Sequence, residues 1–215
     1  MNNNGHIEGI AAPLPLANLD TDQIMPKQFL RGIDKSGLDK GVLYDMRFDG
    51  AGAIREDFVL NQPEYAQARV LIAGPNFGCG SSREHAVWGL QQYGIQAVIA
   101  PSFGEIFYSN AMNNRLLLIG LTEQQVQRVM ADAADPATSM ISIDVHTMTV
   151  RSHSCSATFT LLDRHRHMFI EGLDMIGASL VHKDAILAFA SRHWAQQPWL
   201  KDVAGRSCER LFAGA

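Results

Sequence analysis

The sequence predicts an α/β fold with a mixed parallel and antiparallel sheet and flanking helices, and three observations predict it. Short apolar runs at 70–73, 97–100 and 116–119 have the length and composition of buried strands. A capping-box pattern follows each one: Ser81-x-x-Glu84, Ser102-x-x-Glu105 and Thr122-x-x-Gln125. Repetition of strand and helix in this order implies a parallel sheet, and the strand-like segments from 140 onward add antiparallel pairing to it.

Glycine and proline punctuate the first sixty residues at 5, 9, 13, 15, 26, 32, 37, 41, 50 and 52, which reads as short strands and long loops. Ile7 to Leu14 is a strand candidate, and 31–57 is expected to be a long surface loop with a helical turn. After the strand at 70–73, a helix is expected from Ser81-Ser82 to about Tyr93, ended by Gly94. Helices at about 103–113 and from Thr122 to about Ala134 follow the next two strands. Met140–Asp144 and Thr147–Val150 read as a hairpin, and Ser156–Leu161 as a further strand. Helices are expected at 163–171, ended by Gly172, and at about 183–194. The chain is expected to form one domain over 1–197, with a tail over 198–215 that carries no structural assignment.

Composition narrows the function classes. Apolar residues make up 47% and charged residues 19%, which fits a soluble globular protein and argues against disorder. The formal charge is −4 and no Lys/Arg run exceeds two residues, so nucleic acid is not an expected partner. No apolar run approaches the roughly 18–20 residues of a membrane span. Met1-Asn2-Asn3-Asn4-Gly5 lacks the features of a signal peptide, so a cytoplasmic location is expected. Cys79, Cys155 and Cys208 are odd in number and widely spaced, which argues against a disulfide framework. Without a Cys-x-x-Cys spacing, this chain is expected to bind no iron–sulfur cluster and no other metal.

The chemistry concentrates at Asn76-Phe77-Gly78-Cys79-Gly80-Ser81-Ser82-Arg83-Glu84-His85. Two glycines permit a tight turn, and two hydroxyls stand where a helix begins. Free N–H groups and the positive end of the helix dipole point to the same place. Arg83 adds a planar fork suited to a carboxylate, so the segment is an anion-site candidate. A purely structural strand-to-helix turn with a serine cap would carry the same pattern. A phosphate loop is disfavoured because no lysine lies in the turn, and a dinucleotide fingerprint because Arg83 stands where the third glycine belongs. Ser81 is not in a Gly-x-Ser-x-Gly elbow either.

This segment, extended to Ala86, resembles the signature of the aconitase-superfamily swivel domain, and within it the small subunits of 3-isopropylmalate dehydratases. Three further segments carry the resemblance in order: Asn18 to Leu30, which contains Asp20-Thr21-Asp22-Gln23-Ile24, then Val98 to Phe107 with Asn110 and Asn113, and Gly172 to Gly177. Together they span about 7–190.

The resemblance implies a swivelling β/β/α domain that works with a large subunit carrying a [4Fe–4S] cluster. It implies a hydro-lyase of leucine biosynthesis that interconverts 2-isopropylmalate and 3-isopropylmalate by dehydration and rehydration. Ser81 would then move the substrate proton and Arg83 would bind a substrate carboxylate. Asp22 would line the same cleft, with Ser82, Lys27 and His85 as further substrate contacts. Two other readings stand beside this one: a small subunit for another substituted malate, of the methylmalate or dimethylmalate type, and a non-catalytic anion-binding partner domain.

Other residues receive plainer readings. His85 also suits a packing role and Lys27 a solvated one. Cys79 is read as a small residue packed under the loop, and His165 with His167 as a polar helix face rather than a metal pair. Met168, Phe169 and Ile170 are expected in the core. Asn113-Asn114-Arg115 and 164–171 depart from the usual family pattern, which bears on the substrate and leaves the base and the carboxylate grip intact.

Overall fold

The computed structural model describes residues 5–30, 35–81 and 83–212. They fall into two compact units, one up to Met175 and one from Ile176.

In the first unit β1 (His6–Leu14) is followed by two one-turn helices, α1 (Thr21–Ile24) and α2 (Tyr44–Arg47). The alternating part comprises β2 (Val70–Ala73), α3 (Glu84–Tyr93), β3 (Ala97–Ala100), α4 (Glu105–Asn113), β4 (Leu117–Gly120) and α5 (Glu123–Ala134). Then come β5 (Met140–Asp144), β6 (Thr149–Arg151), β7 (Ser156–Thr158) and α6 (Asp163–Glu171). A further helix, α7 (Met175–Leu180), starts at the boundary between the units, and the second unit holds α8 (Lys183–Gln196) and α9 (Val203–Phe212).

One seven-stranded sheet runs β4-β3-β2-β1-β5-β6-β7. Its first four strands are parallel and the rest are joined antiparallel. The expected mixed sheet is therefore present, and β1 is where its two halves meet. Ala11–Leu14 pair with β2 in parallel, while His6–Ile10 pair with β5 in the opposite sense. Every residue of β2 and β3 is buried, as expected of strands covered on both faces. Alternation divides them. Leu71, Ala73 and Val98 face one core with Leu90 of α3 and Phe107 of α4, while Val70, Ile72 and Ile99 face the other with Val126 and Val129 of α5.

Several elements differ from expectation. The segment after position 34 is not simply a surface loop: Leu38, Val42 and Leu43 are buried against the α3 side of the sheet. A 3-10 turn at Leu38–Gly41 and α2 fold these residues inward without any helical or strand period to betray them. The region from Pro198, which carried no assignment from the sequence, holds a 3-10 turn at Pro198–Leu200 and α9. His165 is 4% exposed rather than part of a polar helix face, with its Nε2 3.0 Å from Arg164 Nη2. Met168 is in the core as expected.

Buried Asp132 ties α5 to the loop before β7. It accepts bonds from Ser152 Oγ (2.5 Å), Ser154 N (2.8 Å) and Ser154 Oγ (2.8 Å). Burial pushes its carboxyl up, but these bonds outweigh burial and hold it below the ordinary carboxylate value.

Candidate active site

Strands β1 and β2 end level, at the paired residues Leu14 and Ala73, and β3 ends beside them. The loops that leave these ends meet over the C-terminal edge of the parallel sheet, where sites collect in open α/β folds. They are laced together by main-chain bonds. Gly78 N donates to Leu19 O (2.7 Å) and Thr21 N to Cys79 O (2.9 Å). Phe77 N donates to Ser102 O (3.1 Å), and Gly104 N returns a bond to Phe77 O (2.9 Å). Asn18 and Asn76 both take a left-handed backbone, which asparagine tolerates, and Asn76 Nδ2 donates to Asn18 Oδ1 at 2.8 Å. Three segments distant in sequence thus form one platform.

Close approach dictates glycine at two points. A Cβ on Gly78 would lie 2.3 Å from Phe107 Cγ, and Gly78 has φ +74°. A Cβ on Gly104 would lie 2.5 Å from Gly78 O. Beneath the loop, the buried rings of Phe77 and Phe107 meet edge to face at 5.5 Å. Such a pair adds about 0.5–1.5 kcal/mol beyond its buried area and gives the loop a rigid floor.

The platform brings Ser81, Arg83 and Asp22 together. Arg83 is ion-paired with Asp22 through Nη1; the two side chains are 18% and 44% exposed. This pairing joins the loop after β2 to α1. Ser81 is exposed, and its hydroxyl lies 3.1 Å from the Thr21 hydroxyl. Ser82 lies outside the described residues. His85 is half-buried with its ring tilted against Trp88, 4.8 Å between centroids. Lys27 is exposed, at the start of a 3-10 turn just past α1.

Two of the three expected capping boxes do not form. Helix α3 starts at Glu84 with Arg83 in the cap position, so Ser81 does not cap it. Glu84 accepts a bond from Asn114 Nδ2 instead of reaching back. Helix α4 has Gly104 at its cap, and Ser102 Oγ accepts from Asn76 N at 2.9 Å. In both cases the loop platform takes the hydroxyl that would otherwise have served the helix. The Thr122–Gln125 box forms as expected. A box absent from the expectations forms at Asp20 and Gln23, and it fixes α1 and therefore Thr21 and Asp22. Its Asp-x-x-Gln pattern was there to be read.

The chain's cysteines sit on separate elements. Cys79 is half-buried and its Sγ donates to Asn18 O (3.3 Å), Cys155 is buried against the α5 side of the sheet, and Cys208 is exposed on α9. Among the described residues, no three His, Cys, Asp or Glu side chains gather as a metal site.

The aconitase C-terminal domain family matches residues 1–124. A protein of Chromobacterium violaceum named 3-isopropylmalate dehydratase small subunit 1 is 69% identical over 205 residues, covering 95% of this chain and 97% of its own. The chain belongs to this family. A relative of the same name from Mannheimia succiniciproducens is 47% identical over 191 residues, covering 89% and 95%. The crystal structure of 3-isopropylmalate dehydratase from Methanocaldococcus jannaschii superposes with a TM-score of 0.61 at 27% identity, over 87% of this chain and 99% of that one. Sequence reasoning passed over one neighbour of Ser81, Thr21. Thr21 is 1% exposed, and its hydroxyl touches Ser81 across 60 positions of sequence.

Proposed function

We propose that this chain is the small subunit of a 3-isopropylmalate dehydratase, acting with a large subunit in the cytoplasm on a step of leucine biosynthesis. The observation that carries the proposal is the joining of Ser81, Arg83 and Asp22 on one platform at the sheet's C-terminal edge, in a chain 69% identical to a protein of that name. Among the described residues no helix is long and apolar enough to cross a membrane.

In this reading Arg83 grips a carboxylate of the substituted malate, and Asp22 holds the guanidinium in place. Ser81, its own proton released to solvent, acts as the alkoxide, and its Oγ takes the proton from the carbon beside the leaving hydroxyl. The C–H electron pair forms the double bond as the C–O bond breaks, and the reverse addition at the neighbouring carbon gives the isomer. Ser82, Lys27 and His85 complete the proposed substrate contacts. A [4Fe–4S] cluster, assigned to the large subunit, supplies a Lewis acid for the departing hydroxyl. Base and Lewis acid thus reside on different chains.

Reconstitution tests this. The chain alone should show no turnover, and the complex with the cognate large subunit should convert 2-isopropylmalate to 3-isopropylmalate. A complex that turns over only methylmalate or dimethylmalate would transfer the assignment to a related hydro-lyase. A complex active on none of the three would favour a binding domain.

A further inference from the structure

We propose that Thr21 is a positioning residue that holds the Ser81 hydroxyl and stabilises its charged form. This rests on the reading of Ser81 as the base.

Thr21 is one of few buried polar side chains in the described residues, at 1% exposure. A buried hydroxyl needs partners, and both of its side-chain partners are atoms of Ser81. Thr21 Oγ1 donates to Ser81 O at 3.2 Å and lies 3.1 Å from Ser81 Oγ. Its main chain is pinned twice: Thr21 N donates to Cys79 O (2.9 Å), and Thr21 O accepts from Met25 N (3.0 Å). The Asp20–Gln23 capping box fixes the turn that carries it.

One hydroxyl has a single proton and two lone pairs. With its proton on the Ser81 carbonyl, Thr21 accepts from Ser81 Oγ–H. That draws the serine proton aside and leaves the lone pairs of Ser81 for the cleft. After rotation about its C–O bond, Thr21 donates to Ser81 Oγ, and this bond strengthens when the oxygen is negative. Since Ser81 does not cap α3, the Thr21 hydroxyl fills a role that the helix cap does not.

The test compares four complexes with the cluster-loaded large subunit: wild type, Thr21→Val, Thr21→Ser and Ser81→Ala. Thr21→Val keeps the shape and removes the hydroxyl. It should lower kcat roughly 10- to 100-fold, the worth of one hydrogen bond to a charged group, with KM within about twofold of wild type. The rising limb of its kcat–pH profile should move to higher pH, because the serine oxygen has lost a donor. Thr21→Ser should restore both. Thr21→Ala replaces Thr21→Val, with the same expectation, if the latter does not assemble. The inference is overturned if the hydroxyl-free variant keeps the wild-type kcat and pH profile while Ser81→Ala is inactive. It is also overturned if Thr21→Ser is as impaired as the hydroxyl-free variant. Full turnover by Ser81→Ala overturns the base assignment itself and this inference with it.

Discussion

The guanidinium of Arg83 rests against the carboxylate of Asp22, tying the loop after β2 to the short helix after β1. Both residues were expected in one cleft, and the pairing separates their roles. In the proposed reading Arg83 grips a substrate carboxylate, and Asp22 sets where that grip stands. Arg83→Lys keeps the charge and loses the fork. In the reconstituted complex it should raise KM for 2-isopropylmalate by roughly 10- to 100-fold, the worth of a charge-assisted bidentate contact. Asp22→Asn should cost less, since it loosens Arg83 without removing it. An unchanged KM in Arg83→Lys would contradict the assignment.

Gly78 meets two demands at once. Its φ is +74°, and a Cβ would press into the Phe107 ring. Gly78→Ala should therefore destabilise the chain by about 2–4 kcal/mol, summing left-handed strain and overpacking. Urea unfolding at neutral pH measures it. A loss below about 0.5 kcal/mol, within the range of an ordinary surface substitution, would show that the loop repacks freely.

His165 makes stability depend on pH. Burial first, and the neighbouring Arg164 second, hold its imidazole below the ordinary value of 6.5. The unfolded chain then binds more protons between the folded and unfolded values, so stability rises with pH in that window. It is complete above about pH 6.5 and falls as the pH drops below it. His165→Leu should flatten this part of the profile in denaturant titrations at stepped pH. An unaltered slope would place the acid sensitivity elsewhere.

Much of this was legible in advance, for physical reasons. β2 and β3 are buried on both faces, so their apolar runs were unmistakable. The Gly-rich loop with Ser81 and Arg83 stood out through its residue types as the anion-site candidate, and the structure joins it to Thr21 and Asp22. The caps of α3 and α4 were not legible, because Ser81 and Ser102 satisfy loop bonds that their local sequence reserves for helix caps. The core role of Leu38, Val42 and Leu43 was hidden because 3-10 turns and one-turn helices impose no period long enough to detect. The Thr21–Ser81 contact joins positions 60 apart, and the pairing of β1 with β2, together with the bonds between the loops that follow them, brings the two side by side.

The central claim is that Ser81 supplies the base. It is tested most directly by the turnover of 2-isopropylmalate in a complex of Ser81→Ala with the cluster-loaded large subunit, checked for intact assembly by size-exclusion chromatography. The account predicts an assembled complex whose kcat has fallen by roughly 10²- to 10⁴-fold or to background. Wild-type turnover in that complex would contradict it.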